Sequence, residues 1–342
     1  MKRSRFLNFR ILILVLVCIC ASINSTGQIK PIKEIKYANE NCYSRSIKIF
    51  QNHAITGNSN GKIYSINLKN KKIKCLTVGL NLAEIRDIEI SNGCIFGLQS
   101  ADSGAVIRVH LKRDPIIYEG DSLGWSQRFL DGMAFQNKIG FIMGDPVDDK
   151  CSLFLSIDGG SSWSSCPSEL VFLEGEAGFA ASGTNVQILS DSSIFFVSGG
   201  LKSRFFKSND LGINWTISEI PYPSANSAGA YSLCMIDNVN GVIVGGDYTQ
   251  PDQNNQICFY TNDGGQNWQP SEIQPLGYRS CVIEQNEFLF CCGTNGIDYS
   301  LDFGKTWIPF TKGNYFSMIS YKGKLFATTT NGSFHIFELP KK

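Results

Sequence analysis

Histidine is scarce in this sequence, and its charges nearly cancel. Three of the 342 residues are His, 31 are Lys or Arg, and 30 are Asp or Glu. The histidines are far apart, at His53, His110 and His335, which argues against a His-ligated metal site. The near-neutral charge excludes a polybasic nucleic-acid binder. Because 43% of the residues are hydrophobic and only 18% are charged, the chain is not of the disordered class either.

Several short motifs that carry chemistry are also missing. The sequence contains no Cys-x-x-Cys pair, which argues against a zinc or thioredoxin-like site. It has neither a phosphate-binding Gly-x-x-x-x-Gly-Lys-Ser/Thr loop nor a strand–Gly-x-Gly-x-x-Gly–helix unit for a dinucleotide. After the first 27 residues, no sustained 3.6-residue periodicity indicates helices. We therefore expect an all-β protein with no metal and no cofactor.

The longest apolar run lies at the start of the chain, from Ile11 to Ala21, and follows four basic residues. This order is typical of a secretory signal peptide, here residues 1–27, with Ser25 and Gly27 preceding the cut. The run is shorter than the roughly 20 residues of a membrane span, although an uncleaved anchor is the alternative. The mature chain, residues 28–342, would keep 27 basic and 30 acidic residues. We expect it to be secreted or periplasmic, with no transmembrane segment.

One pattern, Ser/Thr-x-Asp-x-Gly-x-x-Trp, occurs four times in the second half of the chain. The Asp side chain can accept hydrogen bonds from backbone N–H groups of its own turn, and the Gly allows a positive φ. The Trp then folds over the turn and buries a large ring. These residues are therefore expected to be structural: Asp158 and Trp163, Asp210 and Trp215, Asp263 and Trp268, Asp302 and Trp307.

A second repeat is a short apolar strand ending in small residues, found seven times at intervals of 36 to 53 residues. Such a period, built from short strands and turns, indicates a β-propeller with four strands per blade. We predict one all-β domain over residues 28–342, a seven-bladed propeller with antiparallel blades. The first two blades lack the Asp–Trp pattern, and the last is short of an outer strand. Residues 32–37 could supply that strand and close the ring.

The four copies of the pattern are identified as Asp-boxes, or bacterial neuraminidase repeats (BNR), of sialidase-like propellers. Over roughly residues 80–310 the chain also resembles bacterial BNR-repeat proteins related to the photosystem II stability/assembly factor family, some of them labelled oxidoreductases. The segments that carry this second resemblance are 129–135, 144–148, 175–185, 244–248 and 277–280. It implies a chaperone-like binding role. The missing dinucleotide motif gives the redox label no support.

Polar residues cluster where the chain enters each blade and where second strands end. Loops alternate between the two faces of a propeller, so these positions should share one face, which we call the upper face, and surround one mouth. The candidate ligand-binding residues are Arg86, Arg128, Asp131, Asp145, Glu176, Tyr231, Asp247, Tyr248, Tyr278 and Arg279. The arginines would hold anionic or carbonyl groups, the aspartates would accept hydrogen bonds, and the tyrosines would offer stacking faces. Alternatively, the inward Arg and Asp residues pair between blades and hold the ring together.

The leading functional hypothesis is non-catalytic recognition of a protein or a carbohydrate, and not of nucleic acid, at this mouth. The alternative is a glycoside hydrolase that uses two carboxylates. The catalytic candidates are Asp131, Asp145, Glu176 and Asp247. A sialidase would need three arginines, which Arg86, Arg204 and Arg279 could imitate, but the early Arg-Ile-Pro motif is missing and sialidases have six blades. A purely structural scaffold is the third possibility.

Ten cysteines remain after residue 27. Cys151 and Cys166 flank the first Asp-box, and Cys281 and Cys291 flank a later turn in the same manner. We predict disulfides between the members of these two pairs, as an oxidising compartment would allow. The alternative is that they are buried free thiols, which pack as small hydrophobic residues.

Overall fold

Antiparallel strands make up the regular secondary structure of the computed structural model, which describes residues 29–39, 41–111, 123–190 and 192–340. The described residues contain thirty strands and no helix. Accordingly, no membrane-spanning helix occurs among them. The predicted signal peptide, residues 1–27, lies outside the described residues.

The strands form seven four-stranded blades, as the repeat spacing predicts. The first strand, β1 (Lys33–Lys36), belongs to the last blade. Blade 1 contains β2 to β5, which are Ser44–Phe50, His53–Asn58, Ile63–Asn67 and Ile73–Cys75. Blade 2 contains β6 to β9, which are Ile85–Ser91, Cys94–Gln99, Ser103–His110 and Leu123–Ser126. Blade 3 contains β10 to β13, which are Leu130–Gln136, Ile139–Val147, Lys150–Ser156 and Ser164–Ser165.

The strands of blade 4 are not consecutive in the chain. Two short strands near it, β14 (Glu176–Ala177) and β17 (Gly199–Gly200), extend the sheet of blade 5 instead. Blade 4 itself contains β15, β16, β18 and β19, which are Val186–Ile188, Ile194–Val197, Arg204–Ser208 and Thr216–Glu219. Blade 5 contains β20 to β23, which are Ala228–Met235, Gly241–Asp247, Cys258–Thr261 and Gln269–Pro270. Blade 6 contains β24 to β27, which are Cys281–Gln285, Phe288–Gly293, Gly296–Ser300 and Ile308–Lys312.

Blade 7 joins the two ends of the chain. Its inner strands are β28 (Tyr315–Tyr321), β29 (Lys324–Thr329) and β30 (Ser333–Glu338), and β1 is its outer strand. β1 runs antiparallel to β30, with Lys36 opposite Ser333. The prediction that the N-terminal segment closes the ring is therefore confirmed. This blade is called the seam below.

The hydrophobic core is divided among the interfaces between neighbouring blades, and the Asp-box tryptophans help to build it. Trp215 of blade 4 packs on Phe141 of blade 3, with ring centroids 6.0 Å apart. Trp268 of blade 5 likewise makes an edge contact with Phe205 of blade 4 at 5.1 Å. Each of these rings therefore bridges two blades as well as covering its own turn.

The Asp-boxes connect the third and fourth strands of blades 3 to 6, as predicted. In the third copy, Oδ1 of Asp263 accepts hydrogen bonds from the backbone N–H groups of Gln266 (2.9 Å) and Asn267 (3.0 Å). The hydroxyl of Thr261 donates to the same oxygen at 2.8 Å and accepts from the N–H of Gly265 at 3.0 Å. The Asp side chain is therefore the centre of the turn, which is the structural role expected of it.

Neither predicted disulfide is present, since Cys151, Cys166, Cys281 and Cys291 are all free thiols. In blade 6 the register places Cys281 opposite Cys292. Cys281 packs between blades 6 and 7, whereas Cys291 packs between blades 5 and 6. Side chains alternate along a strand, so the two thiols lie on opposite faces of the blade and cannot meet.

Candidate functional site

A segment between blades 3 and 4, residues 178–184, crosses the axis of the ring. The hydroxyl of Ser182 donates to the carbonyl of Ser280 in blade 6 at 2.6 Å. The Thr184 hydroxyl lies 2.6 Å from that of Ser232 in blade 5. The Ser317 hydroxyl of blade 7 donates to the Ser182 carbonyl at 3.5 Å. Because this segment contacts blades on several sides of the axis, it closes the channel, and we call it the plug.

Small residues let the plug fit among side chains of the surrounding blades. A methyl group on Gly183 would collide with the carboxylate of Asp87, and Gly183 also has a φ of +70°. A methyl group on Gly178 would collide with the carboxylate of Asp131. Glycine therefore avoids a collision at both positions, and at Gly183 it also avoids the strain of a positive φ.

Two carboxyl groups of blade 3, those of Asp131 and Asp145, lie against Gly178 of the plug. Oδ1 of Asp145 accepts a hydrogen bond from the N–H of Gly178 at 2.9 Å. Asp131 is 1% exposed, and burial raises its pKa well above the ordinary value, with a further contribution from the neighbouring Asp145. Burial also raises the pKa of Asp145. A proton on Asp131 removes the repulsion between the two carboxylates and supplies a donor for Asp145.

A cleft of about 450 Å³ lies against the plug, and we call it the axial cleft. Its lining residues are Arg45, Arg86, Phe179, Ala180, Ala181, Tyr231, Tyr248, Tyr278, Ser280, Thr294, Tyr315 and Phe316. They come from blades 1, 2, 5, 6 and 7 together with the plug. The set contains two cationic side chains, no carboxylate, and six aromatic residues.

Aromatic rings form one side of the axial cleft. Phe179 of the plug stacks on Tyr231, with ring centroids 4.1 Å apart and planes inclined by 6°. Tyr278 meets Tyr231 edge-on at 4.9 Å. The Tyr231 hydroxyl donates to the carbonyl of Ser227 at 2.7 Å, which fixes the ring. Tyr248 is 55% exposed and leaves a large part of its surface to solvent.

Two arginines form another side of the axial cleft, and one carboxylate links them. Nε of Arg45 donates to Oε1 of Glu84 at 3.2 Å, and Nε of Arg86 donates to Oε2 at 3.0 Å. The guanidinium group of Arg45 also lies 5.1 Å from the ring centre of Phe316. Since Glu84 carries one negative charge against two positive ones, the cluster keeps a net charge of +1. This is an arrangement that favours an anionic group.

The structure brings four of the ten predicted binding residues into this cleft: Arg86, Tyr231, Tyr248 and Tyr278. Arg128 does not line it, since its Nη1 donates to the Ser152 hydroxyl at 2.8 Å and its guanidinium lies over Phe154. Asp247 caps its own turn by accepting hydrogen bonds from the N–H and hydroxyl of Thr249.

Two other predicted residues belong to buried ion pairs. Glu176 has a fully buried side chain and pairs with Arg204, whose Nη2 lies 2.6 Å from Oε2. Arg279 is 1% exposed and pairs with Asp298. The contacts of Glu176 and Arg279 therefore agree with the alternative prediction, in which inward charged residues pair and stabilise the ring. The same pairs take Arg204 and Arg279 away from Arg86, so the three arginines do not form one clamp.

None of the four catalytic candidates lines the axial cleft. Asp145 is hydrogen-bonded to the plug, Asp131 is buried against it, and Glu176 is paired with Arg204. Among the described residues, no group of three or more His, Cys, Asp or Glu side chains is placed to hold a metal ion.

Sequence reasoning missed Arg45, Phe179 and Phe316. Arg45 lies at a blade entry, in Tyr-Ser-Arg-Ser near the start of β2, and the alternation of loops could have included it. Phe179 lies within residues 175–185, a segment in which the sequence drew attention to carboxylates and to the family resemblance but not to this ring. Nothing local indicates that this segment crosses the axis.

Comparisons with known proteins agree with this architecture. The family described as BNR/Asp-box repeat matches residues 259–270, the third box. No curated protein matches the sequence. Similar solved structures include the WD40 β-propeller domain of Doa1, at 10% identity and a TM-score of 0.63, covering 93% of this chain and 98% of that one.

Two bacterial proteins are similar in the same way. Virginiamycin B lyase from Staphylococcus aureus has 12% identity and a TM-score of 0.60, with coverage of 90% of this chain and 99% of that chain. BamB from Moraxella catarrhalis has 10% identity and a TM-score of 0.54, with coverage of 92% and 99%. At such low identities the similarity concerns the fold. The chain is a seven-bladed β-propeller that carries BNR/Asp-box repeats.

Proposed function

We propose that this protein is a non-catalytic binding module, secreted or periplasmic, whose axial cleft binds an anionic group of a protein or a carbohydrate. The observation that carries the proposal is the Arg45–Glu84–Arg86 cluster beside an aromatic wall. The resemblance to assembly-factor propellers is in line with a binding role.

The charge of the cleft supports an anionic ligand. Both guanidinium groups line the cavity, while Glu84, which links them, does not. Arginine presents several N–H donors in a plane, which suits the two oxygens of a carboxylate. The side chains of Arg45 and Arg86 are only 22% and 26% exposed, so the charges act in a partly desolvated setting, where they attract an anion more strongly.

The aromatic wall and the plug favour a binding surface over a channel for transport or an enzyme active site. The exposed ring of Tyr248 offers an apolar face for a sugar ring or a side chain, and the buried rings of Tyr231 and Tyr278 pack behind it. The plug is held by Ser182, Thr184 and the carboxyl groups of blade 3, so a ligand would rest on the upper face instead of entering the channel.

Binding to arrays of acidic and neutral glycans, with Arg45→Gln, Arg86→Gln and the double variant, tests the proposal. Each substitution removes charge-assisted hydrogen bonds of about 1.5–3 kcal/mol, so affinity should fall roughly tenfold or more per arginine. Arg128→Gln is the matched control, because Arg128 contacts Ser152 and Phe154 outside the cleft. Ligands that the double variant binds as tightly as the wild type would rule out this site.

A glycosidase is the second candidate, favoured by the Asp131–Asp145 pair. Burial keeps the pKa of both carboxyls raised, as a general acid requires. Against it, Asp131 is buried and neither residue lines the cleft. Fluorogenic glycosides test this candidate: turnover that disappears in Asp145→Asn, with unchanged thermal stability, would favour the enzyme, whereas binding without turnover favours the module.

A further inference from the structure

A second cavity, of about 310 Å³, lies at the seam. One wall is the N-terminal segment 29–31, and the others are the loop from blade 6 into blade 7 and the loop between β29 and β30. Both loops belong to the upper face, since one enters a blade and the other follows a second strand. We call this space the seam cavity.

The polar groups of the seam cavity are suited to an anion that also carries hydroxyl groups. Lys30 and Lys312 line it, and no Asp or Glu is among its lining residues. Hydroxyl and amide groups come from Thr330, Asn314 and neighbouring residues of the two loops. The lysines therefore provide the positive charge, and the loops provide donors and acceptors.

His335 also lines the seam cavity. Its Nδ1 lies 3.1 Å from the hydroxyl of Tyr315. Burial lowers the pKa of His335, against a smaller opposing effect from Glu34. Near neutral pH the charge of the cavity is thus that of its two lysines.

Tyr315 lines both the seam cavity and the axial cleft, so this one residue forms a wall between them. We infer that a single ligand occupies both spaces: an acidic oligosaccharide, with one anionic group at Arg45 and Arg86 and a second at Lys30 and Lys312. This inference rests on the proposed function of the axial cleft and specifies its ligand.

The composition of the seam cavity favours a sugar chain over a peptide. Peptides gain most of their affinity from apolar anchors in closed pockets, or by adding a strand to an exposed sheet edge. Ile29 and Pro31 are the aliphatic side chains of the cavity. The end of the outer strand β27 also lines it, but the N–H of Ile29 already donates to the Phe310 carbonyl of that strand at 3.2 Å, so the edge offers little room for an added strand. Hydroxyl and amide groups match the hydroxyls of a sugar.

Calorimetric titration with oligogalacturonates of one to six units tests the inference, and chondroitin sulfate oligosaccharides of matching length serve as the sulfated probe. Affinity should rise steeply at the length that first reaches both spaces. In a Lys30→Gln/Lys312→Gln variant the affinity for the hexamer should fall about tenfold, since two ionic contacts are lost. The affinity for the monomer, which occupies the axial cleft, should stay unchanged.

Lys322→Gln is the matched control, because Lys322 lies in the turn between β28 and β29 on the opposite face, where its Nζ donates to Asn52. The inference is overturned if affinity does not depend on the length of the oligosaccharide, or if neither probe binds. It is also overturned if the Lys30→Gln/Lys312→Gln variant binds the hexamer like the wild type. Tighter binding of hexaglutamate, with the same dependence on the lysines, would mean that the ligand is an acidic peptide instead. Loss of monomer binding in Arg45→Gln together with length-independent affinity would leave the proposed function standing and remove only the seam subsite.

Discussion

Replacing Glu176 by Gln separates the structural from the catalytic interpretation of that residue. The Glu176 side chain is fully buried, and Arg204 is 11% exposed. Nε of Arg204 contacts both carboxylate oxygens, at 2.9 and 3.0 Å, and Nη2 contacts Oε2 at 2.6 Å. The backbone N–H of Leu173 and the hydroxyl of Ser198 also donate to the carboxylate. Gln keeps the shape, removes the charge and turns one acceptor into a donor.

The expected loss of stability follows from these contacts. Removing one partner of a buried ion pair costs about 3–5 kcal/mol, because the other charge stays buried without compensation. With an unfolding entropy of about 2.1 cal/mol/K per residue, a chain of this length should lose roughly 4–8 °C in Tm. Ligand binding at the axial cleft should be unchanged, since Glu176 does not line it.

Urea denaturation and calorimetry of Glu176→Gln, Arg204→Met and the double variant provide the assay. The double variant should be less destabilised than the sum of the single ones, by about 1–3 kcal/mol, because it leaves no unpaired charge. Glu174→Gln is the control: this exposed carboxylate lies two residues away, and its loss should change stability by less than about 0.5 kcal/mol. Additive effects, or a Glu176→Gln variant as stable as the control, would refute the reasoning.

Further predictions concern the plug, the boxes, the seam and the thiols. Burial raises the pKa of Asp131, so the stability that depends on its protonated form should be complete at low pH and be lost as the pH rises above the ordinary Asp value. The Tm of Asp131→Asn should therefore increase relative to that of the wild type from pH 5 to pH 8. Trp307→Ala should cost about 3–5 kcal/mol in urea denaturation, as the ring is 2% exposed between blades. Ile35→Pro should cost about 1–3 kcal/mol and expose β1 to limited proteolysis, because proline cannot donate a hydrogen bond to β30. Alkylation in denaturant without reductant should modify both Cys281 and Cys291; a bridge between them would contradict the register.

Local patterns predict the fold because propeller blades are local units. The Asp-box places all of its partners within eight residues, from Thr261 to Trp268, so the turn can be recognised without knowing what surrounds it. Strands such as β21 pair with their immediate sequence neighbours. Blade number and the strand order within each blade follow from this regularity, whereas closure by β1 follows from the missing outer strand of the last blade and the short strands β14 and β17 were not predicted.

The site was predictable only in part, because its contacts join distant positions. Arg279 lies at a blade entry like Arg86, yet Asp298, on the third strand of the same blade, takes it into a buried pair. Arg86 instead shares Glu84 with Arg45 of the preceding blade. Which arginine faces solvent thus depends on carboxylates that the repeat pattern does not specify.

The pairing of β1 with β30 has a consequence for how the protein is made. A ribosome releases Lys36 long before Ser333, its partner in the sheet. At roughly 5–20 residues per second, the first strand waits about 15–60 s for the last one. During that time blade 1 has no neighbour on its open side, and the nascent chain exposes apolar side chains such as Ile35 and Ile47, which are buried after closure. A chain truncated before β30 cannot close the ring, so translation through Glu338 is a condition for a protease-resistant product.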